Sequence, residues 1–198
     1  MEILEKARVM TYHRRRLGSS DHVELGWRSR ANQKMRFDAL CRWGDMSELS
    51  VMDLGCGHGD LKPFLDERFE NVRYLGIDFL PEFVLEAIRR HGHLPDTHFL
   101  QADFMNTGLP EVDVVVACGS LNYKTENVLF AYSAISRMWE AASRGVAFNM
   151  LDDRLLGDDS ILAGYDPDEI LSFCRNLDPD AEILRDYSPE DFTIFMRK

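Results

Sequence analysis

Three aspartates follow apolar runs at comparable places in this chain. Asp53 sits in VMDL at 51–54, Asp78 closes VRYLGID at 72–78, and Asp103 follows THFLQA at 97–102. Directly after the first run come Gly55, Gly57 and Gly59 at every second position, with Cys56 and His58 between them. A strand that breaks into such a cluster needs glycine where the backbone takes positive φ or where a ligand approaches it closely. From Asp60 onward, Leu61, Phe64, Leu65 and Phe69 recur at helical spacing, so a helix follows the turn and its N-terminus offers free N–H groups. The dinucleotide fingerprint G-x-G-x-x-G cradles a pyrophosphate in this way. Here the third glycine comes one residue early, and Asp53, two residues before Gly55, would repel a pyrophosphate but suits an ammonium group. Asp78 lies about where a ribose-binding acid is expected, roughly 20 residues beyond the glycines. A carboxylate there can accept from both ribose hydroxyls, strengthened by its charge. The structural alternative is that Asp78 caps a helix opened by Pro81.

These residues need elements to hold them. The patterning predicts helix to residue 16, a loop at 17–21, helix at 29–43, strand at 51–54, helix at 60–68, strand at 72–77, helix at 82–91 and strand at 97–100. Strand 112–117 is a β-branched run of the kind buried on both faces of a parallel sheet. Helix 125–142, strand 145–149, a loop-rich insertion at 152–165 and a helix from Pro167 capped by Asp166 follow. Strands 181–187 and 192–197 suit an antiparallel hairpin. Alternating strands and helices imply a doubly wound α/β sheet.

The pattern Asp53-x-Gly55-x-Gly57-x-Gly59 resembles the first motif of class I S-adenosylmethionine (SAM)-dependent methyltransferases. The resemblance implies a mostly parallel, seven-stranded Rossmann-like sheet with an antiparallel terminal hairpin and an N-terminal helical lid. It implies SAM as cofactor, with S-adenosylhomocysteine (SAH) as product. Asp53, Gly55, Cys56, Gly57 and Gly59 would form the loop at the cofactor, Asp78 would take the ribose, and Phe79 would flank the adenine. Asp103 would accept from the adenine amino group, with the Phe104 N–H on a ring nitrogen. Cys118 and Gly119, after the fourth strand, would pass beneath the methionine part. The following SLNY at 120–123 departs from the Asn/Asp-Pro-Pro-Tyr loop used on amino groups of bases or glutamine. The stretches WRSRANQKMRF at 27–37, AFN at 147–149, and DY with DFT at 186–193 resemble a group of small bacterial methyltransferases without a secure substrate. That narrower resemblance implies that Trp27, Gln33 and Arg36 cover the cofactor, with Arg36 offering its bidentate fork to the SAM carboxylate. A solvent-facing helix arginine is the alternative for Arg36.

Composition narrows the rest. Of 198 residues, 45% are apolar, enough for one packed α/β core, and no apolar run approaches the ~20 residues of a membrane span. The opening residues lack the hydrophobic core of a signal peptide. Cys41, Cys56, Cys118 and Cys174 are widely spaced, which favours free thiols in a reducing cytoplasm over zinc or disulfides. The net charge of −11 opposes nucleic acid, and the basic run 13–16 reads as a solvated face.

The expected organisation is a lid over residues 1–46 and a SAM-binding domain over 47–198, in a cytoplasmic enzyme. The expected reaction is methyl transfer to a small-molecule acceptor, with Tyr123 as the candidate catalytic residue. Acids in the insertion, Asp152, Asp153, Asp158 and Asp159, favour a neutral or cationic acceptor. A SAM-binding regulatory subunit without chemistry, and a nicotinamide-dependent oxidoreductase, are the alternatives.

Overall fold

The computed structural model describes residues 2–155 and 161–198. Among them, seven strands form one sheet: β1 Ser50–Leu54, β2 Arg73–Asp78, β3 Thr97–Gln101, β4 Val112–Cys118, β5 Ala142–Leu151, β6 Glu182–Leu184 and β7 Asp191–Arg197. Their order is β3-β2-β1-β4-β5-β7-β6. The first five run parallel, and β7 pairs antiparallel with both β5 and β6. The order reverses between β1 and β4, and ligands of such sheets bind outside the carboxyl ends of the strands at that switch. The helices are α1 Ile3–Arg14, α2 Asp21–Glu24, α3 Arg30–Cys41, α4 Leu61–Asp66, α5 Pro81–His91, α6 Phe130–Ala141 and α7 Pro167–Arg175.

Strand alternation sends neighbouring side chains to opposite faces. On one face Met52, Leu54, Val115 and Ala117 meet Ala134, Ile135 and Met138 of α6 and Ile170 of α7. On the other, Val51, Val114 and Val116 meet Phe37 and Leu40 of α3 and Leu61, Phe64 and Leu65 of α4. Both faces are thus covered, as the β-branched run at β4 required. Caps fix several helix starts: Ser29 Oγ accepts from the Asn32 N–H at α3, and Asp166 Oδ1 accepts from Asp168 N–H and Glu169 N–H at α7. No helix among the described residues is long and apolar enough to cross a membrane.

The departures from the sequence reading have local causes. The helix expected over 125–142 begins only at Phe130, because 125–129 is a capped turn. Thr125 Oγ1 accepts from Asn127 N–H, Asn127 Oδ1 accepts from Leu129 N–H, and Glu5 of α1 accepts from Glu126 N–H. Strand β5 runs beyond 145–149 in both directions, and its 145–151 stretch pairs residue for residue with 191–197. The short α2 falls where no helix was expected. The terminal hairpin is antiparallel, and β7 takes the inner place beside β5.

The end of the N-terminal stretch is core. Trp43 is buried with Leu40 and Met46, and its Nε1–H donates to the Met196 carbonyl of β7 at 3.1 Å. The Arg197 guanidinium answers by donating to the Trp43 carbonyl at 3.1 and 2.8 Å. Truncating a buried tryptophan costs about 3–5 kcal/mol. Trp43→Ala is therefore expected to destabilise the protein by that order in denaturant unfolding. A loss under about 1 kcal/mol would contradict the packing of this segment onto β7.

Candidate functional site

The pocket at the switch point starts from two buried carboxyls. Asp78 ends β2, and its Oδ2 accepts from the Gly57 N–H at 3.0 Å while Oδ1 accepts from the Leu80 N–H at 2.9 Å. It both draws in the glycine loop and holds the turn before α5, but it does not cap that helix: the N-cap position is Leu80 and no side chain caps it. The Gly55 and Cys56 N–H groups donate to the Ile77 carbonyl, which fixes the loop against the end of β2. Burial pushes the Asp78 carboxyl up to about 6 against the pull of those N–H donors. Asp53 lies next to it on β1. Its Oδ2 accepts from the Tyr74 hydroxyl at 2.6 Å, but its Oδ1 is buried without a partner. Burial pushes this carboxyl up to about 7, opposed by the Tyr74 hydrogen bond and reinforced by the nearby Asp78 charge.

Helices α1 to α3 close over these acids. Lys6 of α1 forms an ion pair with Asp103. Burial would raise the Asp103 carboxyl, but Lys6 and the Met105 N–H outweigh it and the net shift is downward. Gln33 of α3 donates to Asp60 at 3.0 Å, and Arg90 of α5 reaches Asp21 of α2 at 2.8 Å. Trp27 lies over Gly119, where an added Cβ would sit 2.9 Å from the indole, and Gly119 itself has φ +77°. Only glycine meets both conditions. The Arg36 guanidinium lies 4.8 Å from the centre of the Trp27 ring, and its Nη2 is 2.6 Å from Asp191 Oδ1. Arg36 is only 8% exposed, and its Nε–H has no partner.

The pocket gathers Asp53, Gly55, Cys56, Gly57, Asp78, Phe79, Asp103, Phe104, Cys118, Gly119, Tyr123 and Arg36. Gly59 is not among its lining residues. An added Cβ there would meet the Phe99 ring at 2.6 Å and Ala87 at 3.3 Å, so this glycine seats the loop on β3 and α5. Arg36 is buried and held by Asp191, which excludes the solvent-facing alternative; no local pattern links these two distant positions. The Cys56 and Cys118 thiols are pushed well up by burial, and Cys118 donates to Asn149 Oδ1 at 2.9 Å. All four cysteines are free. Among the described residues of the insertion, Leu162 lines the pocket and no acid does. Asp152 is bound by Arg154, Asp153 is exposed, and Asp158 and Asp159 lie outside the described residues.

The residues that sequence reasoning missed are on α1. Lys6, Val9, Tyr12 and His13 all line the pocket. His13 belongs to the basic run read as solvated, yet it is 2% exposed, while Arg14 pairs with Glu82 and Arg16 stacks on Tyr12. The overlooked signal is spacing: Glu5, Val9 and His13, four apart, are the buried residues of α1.

Asp53 gives this site a pH signature. Its carboxyl in the fold titrates near 7, against about 3.9 in an unfolded chain. The unfolded state therefore releases its proton first as pH rises. Stability falls from about pH 4 to about pH 7 and then levels. Asp53→Asn removes that penalty. Its stability relative to the parent is expected to rise by roughly 2–4 kcal/mol between pH 5 and pH 8 in chemical unfolding. A pH-independent difference would contradict the buried, half-partnered carboxyl.

A family model described as "Methyltransferase domain" matches residues 51–141, from β1 through α6. A Mycobacterium tuberculosis protein assigned as a methyltransferase is 33% identical over 159 residues, covering 75% of this chain and 93% of its own length. Trans-aconitate 2-methyltransferase of Escherichia coli O6:K15:H31 is 39% identical over 75 residues, which span 37% of this chain and 28% of that protein. Among solved structures, magnesium protoporphyrin IX methyltransferase of Synechocystis PCC 6803 with bound SAH superposes with a TM-score of 0.72 at 19% identity, covering 98% of this chain and 99% of that one. The N-methyltransferase NodS of Bradyrhizobium japonicum WM9 in complex with SAH gives a TM-score of 0.73 at 18% identity, covering 96% and 97%. At these identities the two structures speak to the fold alone. With a relative matched along nearly its whole length and a family model matched over the strands that build the pocket, the chain belongs to the methyltransferase family.

Proposed function

We propose that this protein is a SAM-dependent methyltransferase acting on a small-molecule acceptor. One observation carries the reading. The pocket contains a buried acceptor without a donor, Asp53 Oδ1, and a buried donor without an acceptor, Arg36 Nε. Unpaired polar groups of this kind are costly to bury. Together they complement the ammonium and carboxylate of an α-amino acid, which SAM carries at its methionine end. The residues present fit that group: Asp53 would take the ammonium and Arg36 the carboxylate. Asp78 would take the ribose hydroxyls on its remaining lone pairs, and Asp103 with Phe104 the adenine.

Bound SAM supplies a methyl group already activated on a sulfonium. The protein's task is then to position the acceptor and exclude water, and alignment of that kind can supply about 7–11 kcal/mol of the barrier. Trp27, closed over Gly119, and α1, closed across the pocket, serve the exclusion. Val9, Phe104, Met105, Phe130, Leu151 and Leu162 give the pocket a broad apolar lining. Its cations, Lys6 and Arg36, are both paired with acids. This supports a neutral or cationic small acceptor and argues against nucleic acid.

Calorimetry is expected to show SAM and SAH binding and no NAD binding; NAD binding without SAH would overturn the reading. Hydrogen bonds to a charged group contribute about 1.5–3 kcal/mol each. Asp78→Ala should therefore weaken SAH binding about tenfold or more, with circular dichroism confirming the fold. Parent-like affinity would remove the ribose assignment.

Arg36→Lys separates charge from shape. An ammonium can still face Asp191, but it cannot present a second N–H from a planar fork. SAH affinity should fall by about one hydrogen bond to a charged group, roughly tenfold, in the same calorimetric assay. Unchanged affinity would mean that Arg36 serves Asp191 alone.

A further inference from the structure

In the same pocket as the three acids lies a polar pair to which the SAM assignment above gives no role. His13 Nδ1 lies 2.7 Å from the Glu24 carbonyl oxygen, and His13 Nε2 lies 2.7 Å from the Tyr123 hydroxyl. A carbonyl only accepts, so Nδ1 carries the proton and the neutral ring presents a bare Nε2. Tyr123 must then donate to it. The imidazole is wedged edge-on against Phe83 and Tyr12, so its orientation is fixed. Tyr123 is held independently. It bridges to Leu162, the Asn122 carbonyl accepts from the Ala163 N–H at 2.6 Å, and the Tyr165 hydroxyl donates to the Leu121 carbonyl at 2.9 Å. Both side chains line the pocket, and Tyr123 follows the loop that leaves β4. A base oriented by a fixed acceptor on its far nitrogen is the arrangement that general-base catalysis requires.

We infer that His13, acting through Tyr123, takes the acceptor's proton during methyl transfer, so that the acceptor is a hydroxyl or a protonated nitrogen and not a carboxylate. The inference rests on the methyltransferase reading above. The acceptor X–H donates to the Tyr123 oxygen as Tyr123 passes its own proton to His13 Nε2. The X–CH3 bond forms as the S–CH3 bond breaks, and the electron pair of that bond stays on sulfur. The sulfonium becomes a neutral thioether, and the proton ends on an imidazolium whose Nδ1–H remains on the Glu24 carbonyl. Tyr123 is restored within the step. A carboxylate nucleophile has no proton to surrender at neutral pH and would leave the pair idle.

The surroundings of His13 favour its neutral form. Burial lowers its pKa, opposed by the Glu24 hydrogen bond, and Arg16 and His58 lower it further. The Glu24 carboxylate is turned to His58, at 3.4 Å from its Nε2. Burial and then Asp78 push the Tyr123 hydroxyl well up, with Tyr12 adding to the rise and Arg16 opposing it, so Tyr123 relays a proton rather than losing one to solvent.

The test uses the full chain, methyl-labelled SAM and a small-molecule extract of the source organism. Calorimetry with SAH comes first, and no SAH binding would refute the underlying reading. With SAH bound, the labelled product is expected to be stable to alkali, as an ether or N-methyl group is. A methyl ester that releases its label in alkali, or no labelled product at all, would overturn the inference. The parent rate should rise with pH to a plateau whose midpoint lies below an ordinary histidine's. His13→Gln should keep SAH affinity, lose about 100-fold or more in rate, and replace the plateau by a continuous rise to alkaline pH. An unchanged profile would reduce the pair to packing. Nitrogen-15 NMR of the free protein supplies a readout apart from turnover: Nδ1–H with bare Nε2 at neutral pH supports the pair, and the opposite tautomer overturns it.

Discussion

The hydrogen bond from the Gly57 N–H to the Asp78 carboxylate is the constraint on which the rest of the site depends. It joins the loop after β1 to the end of β2, beside the switch point between β1 and β4. The same carboxylate takes the Leu80 N–H and so holds the turn before α5. Burying a charge this fully is costly unless it is hydrogen-bonded, and the two backbone donors offset that cost. With Asp78 held, the loop keeps its backbone open to the pocket, and Asp53 is left beside it with one oxygen satisfied by Tyr74 and one bare. Strain of this kind is what a binding site stores: polar groups arranged for a ligand rather than for each other.

The N-terminal helices answer the acids from above. Lys6 meets Asp103, Gln33 meets Asp60, Arg90 reaches up to Asp21, and Arg36 is clamped between Trp27 and Asp191. Lys6–Asp103 and Arg90–Asp21 are half-exposed ion pairs, which individually contribute little. The hydrophobic docking of Phe37, Leu40 and Trp43 anchors the segment. The polar contacts then orient a cover already held in place, and His13 and Tyr123 come to hydrogen-bonding distance in the same pocket.

Much of this was legible in the residues. The parallel strands announced themselves through short apolar runs, β-branched at β4, and the acids after those runs with the glycines after Asp53 marked the pocket. Such signals are local, because a strand end and its turn are written in consecutive residues. The rest depends on pairings between distant segments. Arg36 with Asp191, Lys6 with Asp103, and His13 with Tyr123 link α1 and α3 to positions from about 100 to 155 residues away, and no single-chain periodicity encodes them. His13 was hidden for a further reason: its arginine neighbours gave the run a solvated character, while helical spacing turned this one residue inward. Gly59 misled in the opposite direction, since its regular spacing suggested a ligand contact where it serves packing against Phe99.

The central claim is that this pocket holds SAM with its amino-acid end between Asp53 and Arg36. A crystal structure of the protein with SAH tests it most directly. The expected result is the ammonium in hydrogen-bonding range of Asp53 Oδ1, the carboxylate on Arg36 Nε and the ribose hydroxyls on Asp78. SAH bound in another orientation, with Asp53 Oδ1 and Arg36 Nε still without partners, would contradict it.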